Sequence, residues 1–361
     1  MSQLFSPFTL GDLTLPNRIV MAPMTRCRAT SDHTPTDIMA TYYAERASGG
    51  LLITEGIAPD ANGCGYARIP GLWSDAQVAA WMPITAAVHD AGGRIFAQLM
   101  HTGRVSHPDN MPEGSEMIAP SDSTLETQMW TDQAMGMVDH PPARGMTAED
   151  IETTIEGFVT ATRNAIAAGF DGVELHGANG YLIEQFIAPN VNQRDDDWGG
   201  DIAGRGRFAL EVARRCADAV GASKVGIRLS PFGVYNGIEL WDSIHDDYAW
   251  LCEQLGALGL AYVHVVDHSD QGAPEVPWAT KGAMKDAFGG AFVLSGGYTD
   301  AARAEADLAE GRGDLVAYGK AFLANPDLPA RLKTGAELNA FDANTFFTPG
   351  EAGYTDYPPM D

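Results

Sequence analysis

Eight short apolar runs, interspersed with segments of helical pattern, constrain this chain more than any other feature of its sequence. They are RIVMAPM (18–24), LLITEGI (51–57), RIFAQLM (94–100), GVELHG (172–177), VGIRLS (225–230), YVHVVD (262–267), FVLSGG (292–297) and LVAYGK (315–320). Runs that are short, apolar in the main and mostly rich in branched side chains read as parallel strands buried on both faces. Helical patterns lie between them. The segment at 74–92 opens with Ser74 and Gln77 and the one at 147–169 with Thr147 and Asp150, both at capping-box spacing. Those at 201–221, 242–259 and 299–311 also close on glycine, as helices often do. Eight strands with helices between them predict an α/β fold, an eight-stranded (β/α)8 barrel. A doubly wound sheet competes with it, but the turn after the first strand, MAPMTRCRAT, lacks the GxGxxG fingerprint of dinucleotide sheets.

Two segments fall outside the repeat. Residues 5–16, FSPFTLGDLTLP, read as a hairpin that plugs the barrel. Residues 101–146 are polar, rich in Pro and Met, and too long for a plain loop, so they predict a capping excursion within one domain spanning 1–361. With 361 residues and 45% apolar content, the chain can bury a large core.

Its formal net charge of −25 repels a phosphate backbone or an anionic membrane surface, which argues against nucleic-acid and membrane partners. Cys27, Cys64, Cys216 and Cys252 are scattered with no CxxC pair, so neither a disulfide framework nor a metal site is expected. The first twenty residues carry no basic segment followed by an apolar one, and no apolar stretch reaches membrane-spanning length. The expectation is a cytoplasmic protein, a monomer or weak homodimer acting on a small molecule.

In barrels of this kind the site forms at the C-terminal strand ends. The residues gathered there are Pro23, Met24 and Thr25 after the first strand, Thr54, Glu55 and Gly56 on the second, and Gln98 and His101 on the third. The fourth contributes His176, Asn179 and Tyr181, and the fifth Arg228. The seventh contributes Ser295, Gly296 and Gly297, and the eighth Gly319 and Lys320. The last two clusters point to phosphate, since glycine lets backbone N–H groups approach an anion and Lys320 adds charge; ordinary turns are the alternative. His176 and Asn179, three apart, would face the same way if the stretch turns helically, and two neutral donors side by side can hold an oxygen on which negative charge develops. Tyr181 carries a transferable proton, unless it merely packs. Arg228 stands in an apolar strand, where a cation needs an anion: Glu55, Glu174, or a bound group that becomes anionic.

Taken together, MAPMTRCRAT, QLMHTGRVSH, HGANGYLIEQFIAPNVNQRDDDWGG (176–200), VAYGKAFLANPDL and GYTDYP (353–358) resemble, in order and over the whole chain, motifs of the Old Yellow Enzyme family of flavin-dependent ene-reductases. The resemblance implies tightly bound, non-covalent FMN and NADPH or NADH as hydride donor, as in an NADPH-dehydrogenase-type enzyme. By position, Thr25 is implied near flavin C4=O, Gln98 at the pyrimidine edge, and Arg228 by N1–C2=O. Pro23, Met24 and Gly56 are implied against the ring, and Ser295, Gly296, Gly297, Gly319 and Lys320 at the phosphate. Hydride would pass from flavin N5 to the β-carbon of an α,β-unsaturated carbonyl or nitro compound. His176 and Asn179 would hold the activating oxygen, and Tyr181 would protonate the α-carbon. Tyr66, Met100, Trp278 and Tyr354 are candidate pocket walls, while Gln185, Asn192, Arg194 and Asp195 would fix the loop.

The chain departs from many relatives in Asn179 for His, Lys320 for Arg and Met100 for Trp. Lys lacks the fork of Arg for a phosphate, which suggests a weaker hold. Cys27 lies two residues beyond the position at which a sister branch uses cysteine, and is assigned no flavin role. A flavin barrel with another oxidant, such as a nitrate ester or nitro group, or a flavin protein without turnover, is the alternative reading.

Overall fold

The computed structural model describes residues 2–360. A two-stranded antiparallel hairpin, β1 (Phe8–Leu10) and β2 (Leu13–Leu15), opens the chain. Eight parallel strands follow: β3 (Ile19–Met21), β4 (Leu51–Ile57), β5 (Ile95–Leu99), and, beyond the excursion, β10 (Gly172–Gly177), β11 (Val225–Leu229), β12 (Tyr262–Val266), β13 (Ala291–Ser295) and β14 (Leu315–Tyr318). They close as a barrel in the order β3-β4-β5-β10-β11-β12-β13-β14, with β14 returning to β3. The apolar runs predicted these strands within a few residues. The runs extend further because their last residues leave the ladder to form the mouth, Pro23 and Met24 after β3 being the clearest case.

The two predicted capping boxes are present. Ser74 Oγ accepts from Gln77 N at 3.3 Å at the head of α2 (Asp75–Asp90), and Thr147 Oγ1 accepts from Asp150 N at 3.1 Å at the head of α3 (Ala148–Ala167). The predicted helix at 201–221 is interrupted at Gly206 into α5 (Ile202–Arg205) and α6 (Arg207–Val220). Of the other helices, α4 (Leu182–Ile187) and α10 (Lys320–Ala324) follow β10 and β14 directly and carry residues from their mouths.

The main core lies between strands and helices, where Leu52, Ile95, Leu175, Ile227 and Val263 pack outward on Trp81, Phe158, Phe208 and Leu251. A second cluster fills the barrel's lower interior: Val20, Leu51, Phe96, Tyr262, Val293 and Leu315 meet Leu10 and Leu15 of the hairpin. The predicted plug is therefore there, and it closes the end opposite the mouth, with Gly11 pressed on Ser223 just before β11. Burying Leu10 and Leu15 removes apolar surface that an open barrel end would leave to water.

The 101–146 excursion forms two small sheets, β6 (Ile118–Ala119) beside β9 (Arg144–Gly145), and the hairpin of β7 (Gln128–Thr131) and β8 (Gly136–Asp139). Leu125 and Met129 bring it against Tyr181, Cys27 and Met100 in one apolar cluster. Asn110 pins it by donating to Gly65 O at 3.1 Å and Trp130 O at 2.9 Å.

Candidate active site

A cavity of about 490 Å³ opens at the C-terminal ends of the barrel strands. Pro23, Met24, Thr25, Gln98, His176, Asn179, Tyr181, Arg228, Ser295, Gly296, Gly297, Gly319, Lys320 and Tyr66 all line it. Residues from six strands thus meet in one space, as strand-end geometry dictates.

Its base is cationic. Arg228 projects from β11, is 6% exposed, and makes no side-chain hydrogen bond or ion pair among the described residues; its Nε is buried without a partner there. Burial pulls its pKa down, and Glu174 counters this only at a distance. Neither carboxylate proposed for it pairs with it. Glu55 Oε2 accepts from the N–H groups of Arg26 (3.1 Å) and Cys27 (3.0 Å), bracing the loop behind Thr25. Glu174 is taken up by Gln98 Nε2 and His264 Nδ1, both at 2.8 Å. With its amide nitrogen so engaged, Gln98 turns its carbonyl oxygen the other way. Burial, with Arg228 adding repulsion, holds the pKa values of His176 and His268 low, so these imidazoles are neutral and Arg228 is the cation of the base. A buried guanidinium without a protein partner fits a ligand that carries or acquires negative charge.

The loop after β10 is built to present its side chains. Asn179 (φ 61°) and Gly180 (φ 75°) are both left-handed, so the chain does not turn helically there. His176 and Asn179 nevertheless both line the cavity. Glu184 of α4 clamps the reversal: it accepts from Gly180 N at 2.6 Å, Ser230 Oγ at 2.7 Å and Tyr248 Oη at 2.8 Å. Ser230 Oγ in turn accepts from Asn179 N at 2.9 Å. Ala178 N donates to His176 Nδ1 at 3.3 Å, which leaves Nε2–H as the donor His176 offers.

Tyr181 stands edge-on to His176, with ring centroids 4.9 Å apart, and edge-on to Tyr66. The hydroxyls of Tyr66 and Tyr181 are 3.0 Å apart. Burial raises the pKa of Tyr181, while the Tyr66 hydroxyl and the Arg228 charge offset part of the rise. The phenol therefore holds its proton until a basic carbon or oxygen arrives, with a hydrogen-bonded neighbour to support the phenolate left behind.

At the other side of the cavity, β13 and β14 end in glycine. Gly296 has φ 120°, and a Cβ there would sit 2.0 Å from Asp267 O, so no other residue fits this close approach. Lys320 is exposed, with no ion pair among the described residues, and its ammonium lies 5.8 Å from the Phe341 ring. Arg303 reaches back to donate to Gly297 O at 3.0 Å, a second cation by this loop that the strand-end survey did not include.

Four predicted residues lie elsewhere. Tyr354 is fully buried and stacks on Tyr42 at 3.9 Å, because Arg26 draws the tail inward by donating to Gly353 O at 2.6 Å. Trp278 heads its own helix and is sandwiched by Lys281 and Arg312. Met100 is buried against Gly56, whose missing Cβ makes room for the Met100 sulfur, so both face the packing between β4 and β5 rather than the cavity. Of the loop residues, Gln185 donates to Thr102 O and Gly180 O, Asn192 to Phe186 O and Trp198 O, and Arg194 to Pro120 O and Met146 O. The acid that meets Arg194 is Asp196, not Asp195.

Other lining residues carried no strand-end signal: Tyr235, Asn236, His268 and Gln271 from the loops after β11 and β12, and Phe346 and Phe347 from the tail. The tail's signal was Arg26 and Arg28 in the first-strand motif. Their guanidiniums hold the carbonyls of Thr345, Phe346, Ala352 and Gly353.

Residues 3–339 match the model of the NADH:flavin oxidoreductase / NADH oxidase family. The chain is 42% identical over 366 residues to chanoclavine-I aldehyde reductase of Penicillium roqueforti, covering 99% of this chain and 96% of that protein. It is 40% identical over 365 residues to 12-oxophytodienoate reductase 2 of Arabidopsis thaliana, with 99% and 96% covered. Among solved structures it superposes on morphinone reductase with a TM-score of 0.95 at 40% identity, covering 100% of this chain and 97% of the other. On an old yellow enzyme homologue from Zymomonas mobilis it scores 0.93 at 38% identity, with 99% of each chain covered. A barrel mouth with an unpaired arginine at its base, a tyrosine beside two neutral donors, and this likeness over nearly the full length place the chain in the NADH:flavin oxidoreductase / NADH oxidase family, the Old Yellow Enzyme family.

Proposed function

We propose that the cavity holds FMN and that the chain uses it, with NADH or NADPH, to reduce the activated C=C bond of an unsaturated carbonyl or nitro compound. The observation that carries this reading is the convergence on one cavity of an unpartnered buried Arg228, two neutral donors, and Tyr181 with its supported hydroxyl. When bound, the flavin accepts hydride from a nicotinamide and returns it to the alkene.

The residues present fit such a group. Arg228 would offset negative charge on a reduced ring, and Gln98, Thr25 and Met24 would hold the ring system. Ser295, Gly296, Gly297, Gly319 and Lys320 would hold the phosphate, through backbone N–H groups and one ammonium.

His176 Nε2–H and the Asn179 amide bind the substrate's activating oxygen. They donate more strongly as that oxygen gains charge, which lowers the barrier rather than merely tightening binding. Tyr181 delivers the proton to the α-carbon, and Tyr66 stabilises the phenolate. The tail's Phe346 and Phe347 and the cap's contact with Tyr181 narrow the water's access.

The chain acts as one barrel domain capped by 101–146, as a monomer or weak homodimer, on small molecules. No helix among the described residues is long and apolar enough to cross a membrane, and all four cysteines are buried and unpaired, which supports a reducing, cytoplasmic setting.

An anaerobic spectrum tests the assignment. The purified protein should show flavin absorbance that bleaches with NADH or NADPH and returns on adding cyclohexenone. A yellow protein that bleaches but is not restored by the enone would defeat the alkene-reductase reading. A protein that takes up no FMN would defeat the assignment of the cavity.

A further inference from the structure

Asn179 is useful to an incoming oxygen only in one orientation. Its side-chain amide has a donor end and an acceptor end, and an acceptor facing the cavity would repel a carbonyl or enolate oxygen. Nothing in the loop after β10 decides between the two ends: the Asn179 backbone is held at N by Ser230 and at O by Asn236 Nδ2 (2.7 Å), but neither touches its side chain.

The loop after β12 does decide. His268 Nε2 lies 2.6 Å from Asn179 Oδ1. His268 Nδ1 lies 3.4 Å from Gln271 Nε2, and Gln271 Oε1 accepts from Tyr235 Oη at 3.2 Å. An amide nitrogen only donates, so Nδ1 is the acceptor and the imidazole proton sits on Nε2. Direction then runs one way along four cavity-lining residues: Tyr235 O–H to Gln271, Gln271 N–H to His268, His268 Nε2–H to Asn179 Oδ1. The Tyr235 and His268 rings, 4.5 Å apart, also pack on each other. The free Nδ2–H2 of Asn179 is left toward the cavity, with no partner in the chain among the described residues.

We propose that His268 is a positioning residue for substrate binding: through its Nε2–H it locks the Asn179 amide with the N–H end presented to the activating oxygen of the substrate. This rests on the reading of Asn179 as an oxygen-binding donor. The relay's outer members, Tyr235 and Gln271, also line the cavity.

The test is a titration of the FMN-loaded protein with para-chlorophenol, following the long-wavelength band that a bound phenolate gives with oxidised flavin. His268→Phe keeps the ring against Tyr235 but removes the donor. It is expected to weaken binding about tenfold, the range for one lost hydrogen bond. His268→Gln restores an N–H and should recover most of the affinity, which a merely structural role would not produce. In an Asn179→Ala background, His268→Phe should have little further effect. Equal weakening in both backgrounds, or none in either, would overturn the positioning role while leaving the site reading intact. No weakening by Asn179→Ala alone would instead overturn the site reading, and the proposal with it. Should His268→Phe lose FMN, Gln271→Leu removes the group that sets the tautomer. It is expected to weaken phenol binding about threefold, against no change if His268 does not act through Asn179.

Discussion

Tyr181 concentrates what a single residue contributes here. Its hydroxyl is buried, raised in pKa, and supported at 3.0 Å by Tyr66. Tyr181→Phe is expected to slow the enone half-reaction by roughly 10²- to 10⁴-fold, the range for a lost general acid, while bleaching of the flavin by NADH or NADPH stays within about twofold. Stopped-flow measurement of the two half-reactions separates these; equal loss in both would count against proton delivery. Glu184 makes a different prediction. Burial raises its pKa to about 7, above the unfolded range near 4.5, despite the three hydrogen bonds it accepts. The folded state therefore binds the extra proton, so the stability this gives is full below about pH 4.5 and is lost as pH rises towards 7. The melting temperature should fall over that window, and Glu184→Gln should flatten the fall. An unchanged pH slope in the variant would show that the decline comes from elsewhere, for instance from the self-repulsion of a chain with net charge −25.

At the scale of elements, the turn after β13 and the loop after β10 do opposite things with left-handed backbone. After β13, Gly296 is needed because Asp267 O occupies the space of any Cβ. Gly296→Ala should cut FMN retention by at least about tenfold while far-ultraviolet dichroism remains that of the wild type; full retention would remove this turn from the phosphate site. After β10, Asn179 takes a left-handed conformation that it tolerates better than most side chains, and it is held there by Ser230 Oγ, which accepts from Asn179 N, and by Glu184, which accepts from Gly180 N and Ser230 Oγ. This is why the helical-turn argument, though it named two residues that both line the cavity, assumed the wrong backbone. A spacing of three is compatible with several backbones, and the choice among them was made by Glu184 and Ser230, which arrive from other elements.

At the scale of the whole molecule, the two barrel ends differ: one opens as the cavity, and the hairpin closes the other. The hairpin plug carries no chemistry, yet Leu15 is fully buried beneath the interior strands. Leu15→Ala is expected to destabilise the protein by about 2–5 kcal/mol, with phenol affinity of the loaded protein unchanged. Urea unfolding beside the same titration checks both, and a loss of affinity matching the loss of stability would mean that the plug shapes the site. The barrel itself was legible from sequence, because eight short, mostly apolar runs without polar alternation are best satisfied by strands covered on both faces, and a closed parallel sheet with helices outside is the compact solution. The mouth residues were legible for the same reason: polar side chains at the end of a buried strand must emerge at one rim. What the sequence could not decide was which large side chains complete the walls. Tyr354 and Trp278 were the aromatic residues expected there and Phe346 and Phe347 were not, but Arg26 draws Tyr354 into the core, Trp278 packs with Lys281 and Arg312, and Phe346 and Phe347 line the cavity. Nor could it pair His268 with Asn179, 89 positions apart. Local pattern determined the strands and the chemistry carried at their ends. Contacts between residues distant in sequence decided the walls and the orientation of the donors, because those depend on where separate loops meet in space, which periodicity and spacing do not encode.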